Sequence, residues 1–155
     1  EVVFRGTQHL TPDDRAAIVE YVQSLPQVAA SRMVPKPVDP RDTVFFRGAK
    51  LYTEQCADCH GRRGDGNDGA YPALAGNRAV TMPVATNVIR AVLSGGFAPA
   101  TAGNPRPFGM PPFAQSLGDA DIAAVVTYIR NAWGNAAAPV SALAINRERG
   151  ARVEQ

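Results

Sequence analysis

No stretch of this chain approaches the roughly eighteen consecutive apolar residues that a membrane-spanning helix needs, so nothing in these 155 residues is expected to cross a bilayer. Charge of one sign is also lacking. Sixteen basic residues against fourteen acidic leave a net charge of +2, too weak an imbalance to argue for nucleic acid. The first residues show no basic stretch followed by an apolar core and a small-residue cleavage site, so any signal peptide is expected to lie outside this sequence. Persuasive period-two alternation is missing, which removes sheet-based folds. Cysteine and histidine are scarce, with two of each, and a structural zinc site, which takes four ligands, finds no second pair near Cys56 and Cys59. What remains is ordinary for a globular protein: 45% hydrophobic and 19% charged residues, in a chain long enough to bury a core.

The two cysteines stand in the pattern Cys56, Ala57, Asp58, Cys59, His60. In this C-x-x-C-H arrangement each thiol can add to a haem vinyl group while the adjacent imidazole reaches the iron from one face. The spacing suits a helix end followed by a turn, which lays both sulfurs along one edge of the porphyrin. A thioredoxin-like dithiol is the main rival, but it belongs after a strand in an alternating β and α pattern, and the residues around Cys56 read as helix. One covalently bound haem c is therefore expected, with Cys56 and Cys59 as attachment points and His60 as an axial ligand.

The other face of the iron needs a ligand, and Met33, Met82, Met110 and His9 can supply one. Met110 has the right setting. It lies in Gly109-Met110-Pro111-Pro112-Phe113, where glycine permits close approach, two prolines stiffen the loop, and an aromatic can cover the haem edge. Met33 falls in a proline-rich linker and Met82 at the start of a predicted helix, where methionine is more often a gap-filler. A thioether stabilises reduced iron and raises the potential, which suits an electron carrier.

Helical periodicity surrounds the motif. Phe45, Gly48, Ala49, Tyr52 and Cys56 recur on one face from Asp42 to Gln55. Gly61, Gly64, Gly66 and Gly69 predict a flexible loop. A short helix is expected over Thr86 to Leu93, stopped by Gly95 and Gly96, and an amphipathic one from Asp119 to Trp133 with Ile122, Val125, Val126 and Ile129 on its apolar face. The fold class is all-α, wrapped around the haem. Arg90 and Arg106 are conceivable partners for haem propionates, but a solvated surface position is the more common case and they are not counted among the site residues.

Order and spacing together resemble the class I c-type cytochromes over roughly residues 41–135: attachment motif after a helix, a proline twelve residues beyond the histidine, a methionine loop and a closing helix. The resemblance implies that the Pro72 carbonyl accepts a hydrogen bond from the outer nitrogen of His60, that Leu74 packs on the haem plane, and that the first and last helices cross at Gly48 and Tyr52 against Tyr128. It also implies a periplasmic location, at or near the inner membrane, because haem attachment takes place outside the bacterial cytoplasm.

Thr11 to Leu25 forms a further predicted helix, with Thr11 as cap and Pro12 in its first turn. Shifted onto the last helix it places Leu10 on Leu117, Asp14 on Asp121, Val19 on Val126 and Tyr21 on Tyr128. Residues 1–26 are accordingly expected to be the end of a preceding cytochrome domain, 27–40 a proline-rich linker, 41–135 the haem domain, and 136–155 a tail. That tail offers Val140, Leu143 and Ile145 for docking on a partner or a membrane surface. The N-terminal residues and the methionine loop look similar to the three-haem cytochrome subunit of membrane-bound alcohol and related dehydrogenases, which implies the third haem domain of such a subunit. The expected function is electron transfer without catalysis of its own, from a dehydrogenase subunit or adjacent haem domain towards quinone or oxidase. A free-standing periplasmic shuttle is an alternative, and a haem catalyst or gas sensor with an open iron position is another.

Overall fold

The computed structural model describes residues 2–26 and 38–151. By internal contacts the chain divides into two compact units, Glu1–Met33 with Phe97–Pro107, and Val34–Gly96 with Phe108–Gln155. The expected linker lies largely outside the described residues, as does Met33.

In the first unit, helix α1 (Val2–Arg5) and a 3₁₀ turn (Thr7–His9) precede α2 (Pro12–Ser24). The start of α2 is fixed as its sequence predicts. The Thr11 hydroxyl accepts from the Asp14 N–H at 3.1 Å, and the Asp14 carboxylate accepts from the Thr11 N–H at 3.3 Å, satisfying two otherwise orphaned donors. No residue of α2 is buried.

The second unit is helical. Helix α3 (Thr43–Gln55) begins at Asp42, whose side chain accepts from the Val44 N–H, and runs into the one-turn α4 (Ala57–His60). Short α5 (Arg78–Thr81) and α6 (Thr86–Ser94) follow, then the two-residue strands β1 (Gly96–Phe97) and β2 (Gly109–Met110), which form a small ribbon. Helix α7 (Asp119–Asn131) and α8 (Ala142–Gly150) close the unit. No helix among the described residues is long and apolar enough to cross a membrane.

Helices α3 and α7 cross at Gly48, where any side chain would overlap the Ala124 carbonyl and the Tyr128 Cβ. Around this crossing Tyr52, Tyr128 and Trp133 pack edge to face or tilted, with ring centroids 4.9–5.5 Å apart. The crossing implied by resemblance is therefore the one observed.

Two elements differ from expectation. Helix α7, predicted to be buried on one face, is buried nearly all round, including Ala123, Ala124, Thr127 and Arg130. The reason is α8, formed where a separate tail was expected. Ile145 of α8 is fully buried and Val140 is half-buried against the same core, so these two residues face inward and are not a docking surface. Polar anchors hold the helix. Arg149 pairs with Asp119 at 2.8 Å and donates to the carbonyls of Ala114 and Leu117, while Glu148 accepts from Thr86 and Arg90 at 2.9 and 2.8 Å. Arg90 is thus committed to α8.

Candidate functional site

Helix α3 delivers its last turn to one end of a cleft of about 200 Å³ lined by Cys56, His60, Pro72, Leu74, Met110 and Phe113. Val88 and Val92 of α6 and Val125 and Ile129 of α7 complete an almost wholly apolar wall. Five of the six site residues expected from sequence therefore meet in one place. Cys59, the sixth, is exposed and lies beside Tyr71 rather than in the cleft wall. No disulfide joins the two cysteines.

His60 is buried, and its Nδ1 lies 2.9 Å from the Pro72 carbonyl oxygen. A carbonyl can only accept, so Nδ1 carries a hydrogen and Nε2 is the nitrogen left to face the cleft. The glycine-rich segment between them is ordered by its backbone. Gly66 N–H donates to the His60 carbonyl at 2.8 Å, and Leu74 and Ala75 N–H groups both donate to Gly64 at 2.7 and 2.9 Å. The Tyr52 hydroxyl donates to the Gly61 carbonyl at 2.6 Å, and burial pushes its pKa far above the ordinary phenol value. Burial, with a smaller contribution from Cys59, likewise pushes the Cys56 thiol up to about 11. Before attachment Cys56 is therefore a neutral thiol at neutral pH, unlike the thiolate of a redox dithiol.

On the methionine side, Gly95 adopts φ +59° and presents its bare Cα to the Met110 carbonyl and to Pro111 and Pro112. A Cβ there would collide with that loop. Phe113 and Ala114 N–H groups donate to the Val92 and Leu93 carbonyls at 3.0 and 3.2 Å, tying the segment after Met110 to α6. Met82, at the end of α5, is 41% exposed and away from the cleft.

Two residues that sequence reasoning passed over hold the walls. Arg130, 1% exposed, donates to the carbonyls of Val80, Met82 and Ala138 at 2.6, 3.0 and 3.1 Å. Asn135 accepts from Gly76 N–H at 2.9 Å and donates to the Leu74 and Ile129 carbonyls at 3.0 and 2.8 Å, pinning the Leu74 segment to the end of α7.

Residues 45–133, more than half the chain, match the sequence pattern that defines cytochrome c. This chain belongs to the cytochrome c family. Its fold is the all-α cytochrome c fold, its role is electron transfer, and its cofactor is haem c, covalently held. The local chemistry fits that group. Two cysteines three residues apart, an imidazole oriented through Nδ1, a thioether and an apolar wall meet what a covalently attached, axially ligated porphyrin requires.

The cytochrome is 35% identical over 144 residues to the cytochrome c subunit of alcohol dehydrogenase (quinone) of Gluconacetobacter polyoxogenes, covering 88% of this chain and 31% of that protein. It is also 35% identical to the gluconate 2-dehydrogenase cytochrome c subunit of Pantoea cypripedii, over 88% of this chain and 33% of the relative. Cytochrome c-552 of Thermus thermophilus is 40% identical over 93 residues, 57% of this chain and 70% of the relative. The chain thus spans about a third of the length of the dehydrogenase subunits that it matches.

Proposed function

We propose that Cys56 and Cys59 form the thioether links to the haem, that His60 and Met110 ligate its iron axially, and that Pro72 and Leu74 orient and cover it. The convergence of His60, Met110 and Cys56 on one apolar cleft, with His60 already oriented by Pro72, carries this reading. The haem supplies a one-electron couple between ferric and ferrous iron. Pro72, by accepting the Nδ1 proton, fixes the imidazole plane and increases its donor strength. Met110 offers a soft sulfur that favours the reduced state. Phe113, Val92, Val125 and Ile129 exclude water, which further disfavours the more highly charged ferric form.

Met110→Ala tests the assignment. The ferric protein is expected to lose the far-red charge-transfer band of a thioether on iron, to admit imidazole freely, and to fall in potential. An unchanged ferric spectrum in the variant would remove Met110 as the ligand.

In its larger setting, we place this chain as the last haem domain of a multi-haem subunit at the periplasmic face of the inner membrane. It takes electrons from a dehydrogenase subunit or an adjacent haem domain and passes them towards quinone or oxidase. The relatives named as dehydrogenase subunits support this, as does α2. Helices α2 and α7 are both 13 residues long and share bounds when Leu10 is set on Leu117. Yet Val19 is 53% exposed where Val126 is fully buried. A helix with the residues of a core helix and none of its burial fits the end of a preceding domain. Residues 27–40 would then be the linker between the two. The haem-to-polypeptide ratio of the full gene product, from pyridine haemochrome absorbance and intact mass, is expected to exceed one. A ratio of one would favour a free-standing shuttle instead.

A further inference from the structure

The segment carrying Met110 is anchored firmly after the methionine, through Phe113 and Ala114 to α6. Before it, the position is different. Residues Phe97–Pro107 belong to the other compact unit, and the chain re-enters the haem-binding unit at Phe108. Phe108 is 58% exposed, so burial does not hold it. Its ring instead meets Tyr71, with centroids 5.1 Å apart and planes at 45°.

Tyr71 is well placed to receive it. Reciprocal backbone bonds with Asn67, at 2.9 and 2.8 Å, fix its backbone. It directly precedes Pro72, whose carbonyl orients His60, and it neighbours Cys59. One pair of rings therefore joins the segment that positions the histidine to the segment that carries the methionine, two residues from Met110.

We infer that the Tyr71–Phe108 pair is a clasp that sets how readily Met110 leaves the iron. This rests on the reading of Met110 as the sixth ligand. Tyr71 and Phe108 are positioning residues, acting through the loop rather than by touching the iron. While the rings are in contact, the loop before Met110 is tethered at both ends. When they part, the loop keeps the β1–β2 ribbon and its α6 side but loses its tether to the Pro72 segment, and the sulfur swings away more readily to admit another ligand.

The test uses the holoprotein and imidazole as the entering ligand, following its displacement of the thioether from ferric haem. Phe108→Leu and Tyr71→Leu are each expected to raise that rate by about twofold to tenfold, the range that an aromatic pair supports. The double variant is expected to be no faster than either single one, since both remove the same contact. Tyr71→Phe, which keeps the ring, should match the unsubstituted rate. An unchanged rate in Phe108→Leu, multiplied effects in the double variant, or acceleration by Tyr71→Phe would each overturn the clasp. Absence of the thioether band from the unsubstituted protein would instead overturn Met110 as ligand, and the clasp with it.

Discussion

Arg130 and Asn135 hold the cleft by directed hydrogen bonds rather than by apolar contact. Each satisfies backbone groups 48 to 61 residues away: Val80 and Met82 for Arg130, Leu74 and Gly76 for Asn135. Arg130→Met keeps the apolar stem but leaves three carbonyls without their donor. Only the Val80 carbonyl is fully buried, and an unsatisfied buried group costs about 1–3 kcal/mol, so a loss of about that size is expected, read as a lower urea midpoint of the holoprotein. An unaltered midpoint would show that the carbonyls find other partners. Separation also explains which residues could be read beforehand. Cys56, Cys59 and His60 announce themselves because their chemistry depends on spacing within five residues, and Met110 because glycine and proline flank it. An arginine that reaches across 50 residues looks, in sequence, like any surface arginine on the border of an amphipathic helix.

Among the elements, α8 departs most from its sequence signal. Ile145 alone in it is fully buried, only the small Ala144 joins it against the core, and the other attachments are ion pairs and hydrogen bonds, which leave no apolar period to detect. Ile145→Ala should cost about 2–4 kcal/mol, as large-to-small core changes do, measurable by chemical denaturation. Acid should release the same helix. Partners Asn146 and Arg149 lower the Asp119 pKa, and Arg90 and Thr86 lower that of Glu148. A carboxyl whose folded pKa lies below its unfolded value stabilises the docked state above the unfolded value, and that contribution vanishes as pH falls through the folded one. Amide exchange over residues 142–150 is therefore expected to accelerate below the ordinary values of 3.8 and 4.5, ahead of α3 and α7. Simultaneous loss of all three helices would contradict this. At the α3–α7 crossing, legible through its small residue, Gly48→Val should cost about 1–3 kcal/mol by overpacking.

For the molecule, the cleft decides whether the second unit can stand without its cofactor. A cavity of about 200 Å³, left empty at about 24 cal/mol per Å³, forfeits about 5 kcal/mol, comparable with the whole stability of a small domain. The double variant Cys56→Ala/Cys59→Ala, made without attached haem, is expected to lack a cooperative unfolding transition by circular dichroism. A sigmoidal transition as steep as that of the holoprotein would refute it. The helical class and the course of the haem unit were legible in the sequence because apolar periodicity is local. The division at Phe97 and Phe108 was not, because it depends on how a loop without periodicity is shared between units.

The crossing at Gly48 also imposes a sequence of events in time. Its two sides are separated by the whole attachment region, since Gly48 precedes Cys56 whereas Ala124 and Tyr128 follow Met110. During synthesis from the amino end, both thiols emerge while the helix that will shut the cleft is still being made. Closure of so distant a contact is intrinsically slow. The interval between those two moments is when haem has unobstructed access to both thiols, so a change that delays closure lengthens the opportunity for attachment, and one that hastens it shortens it.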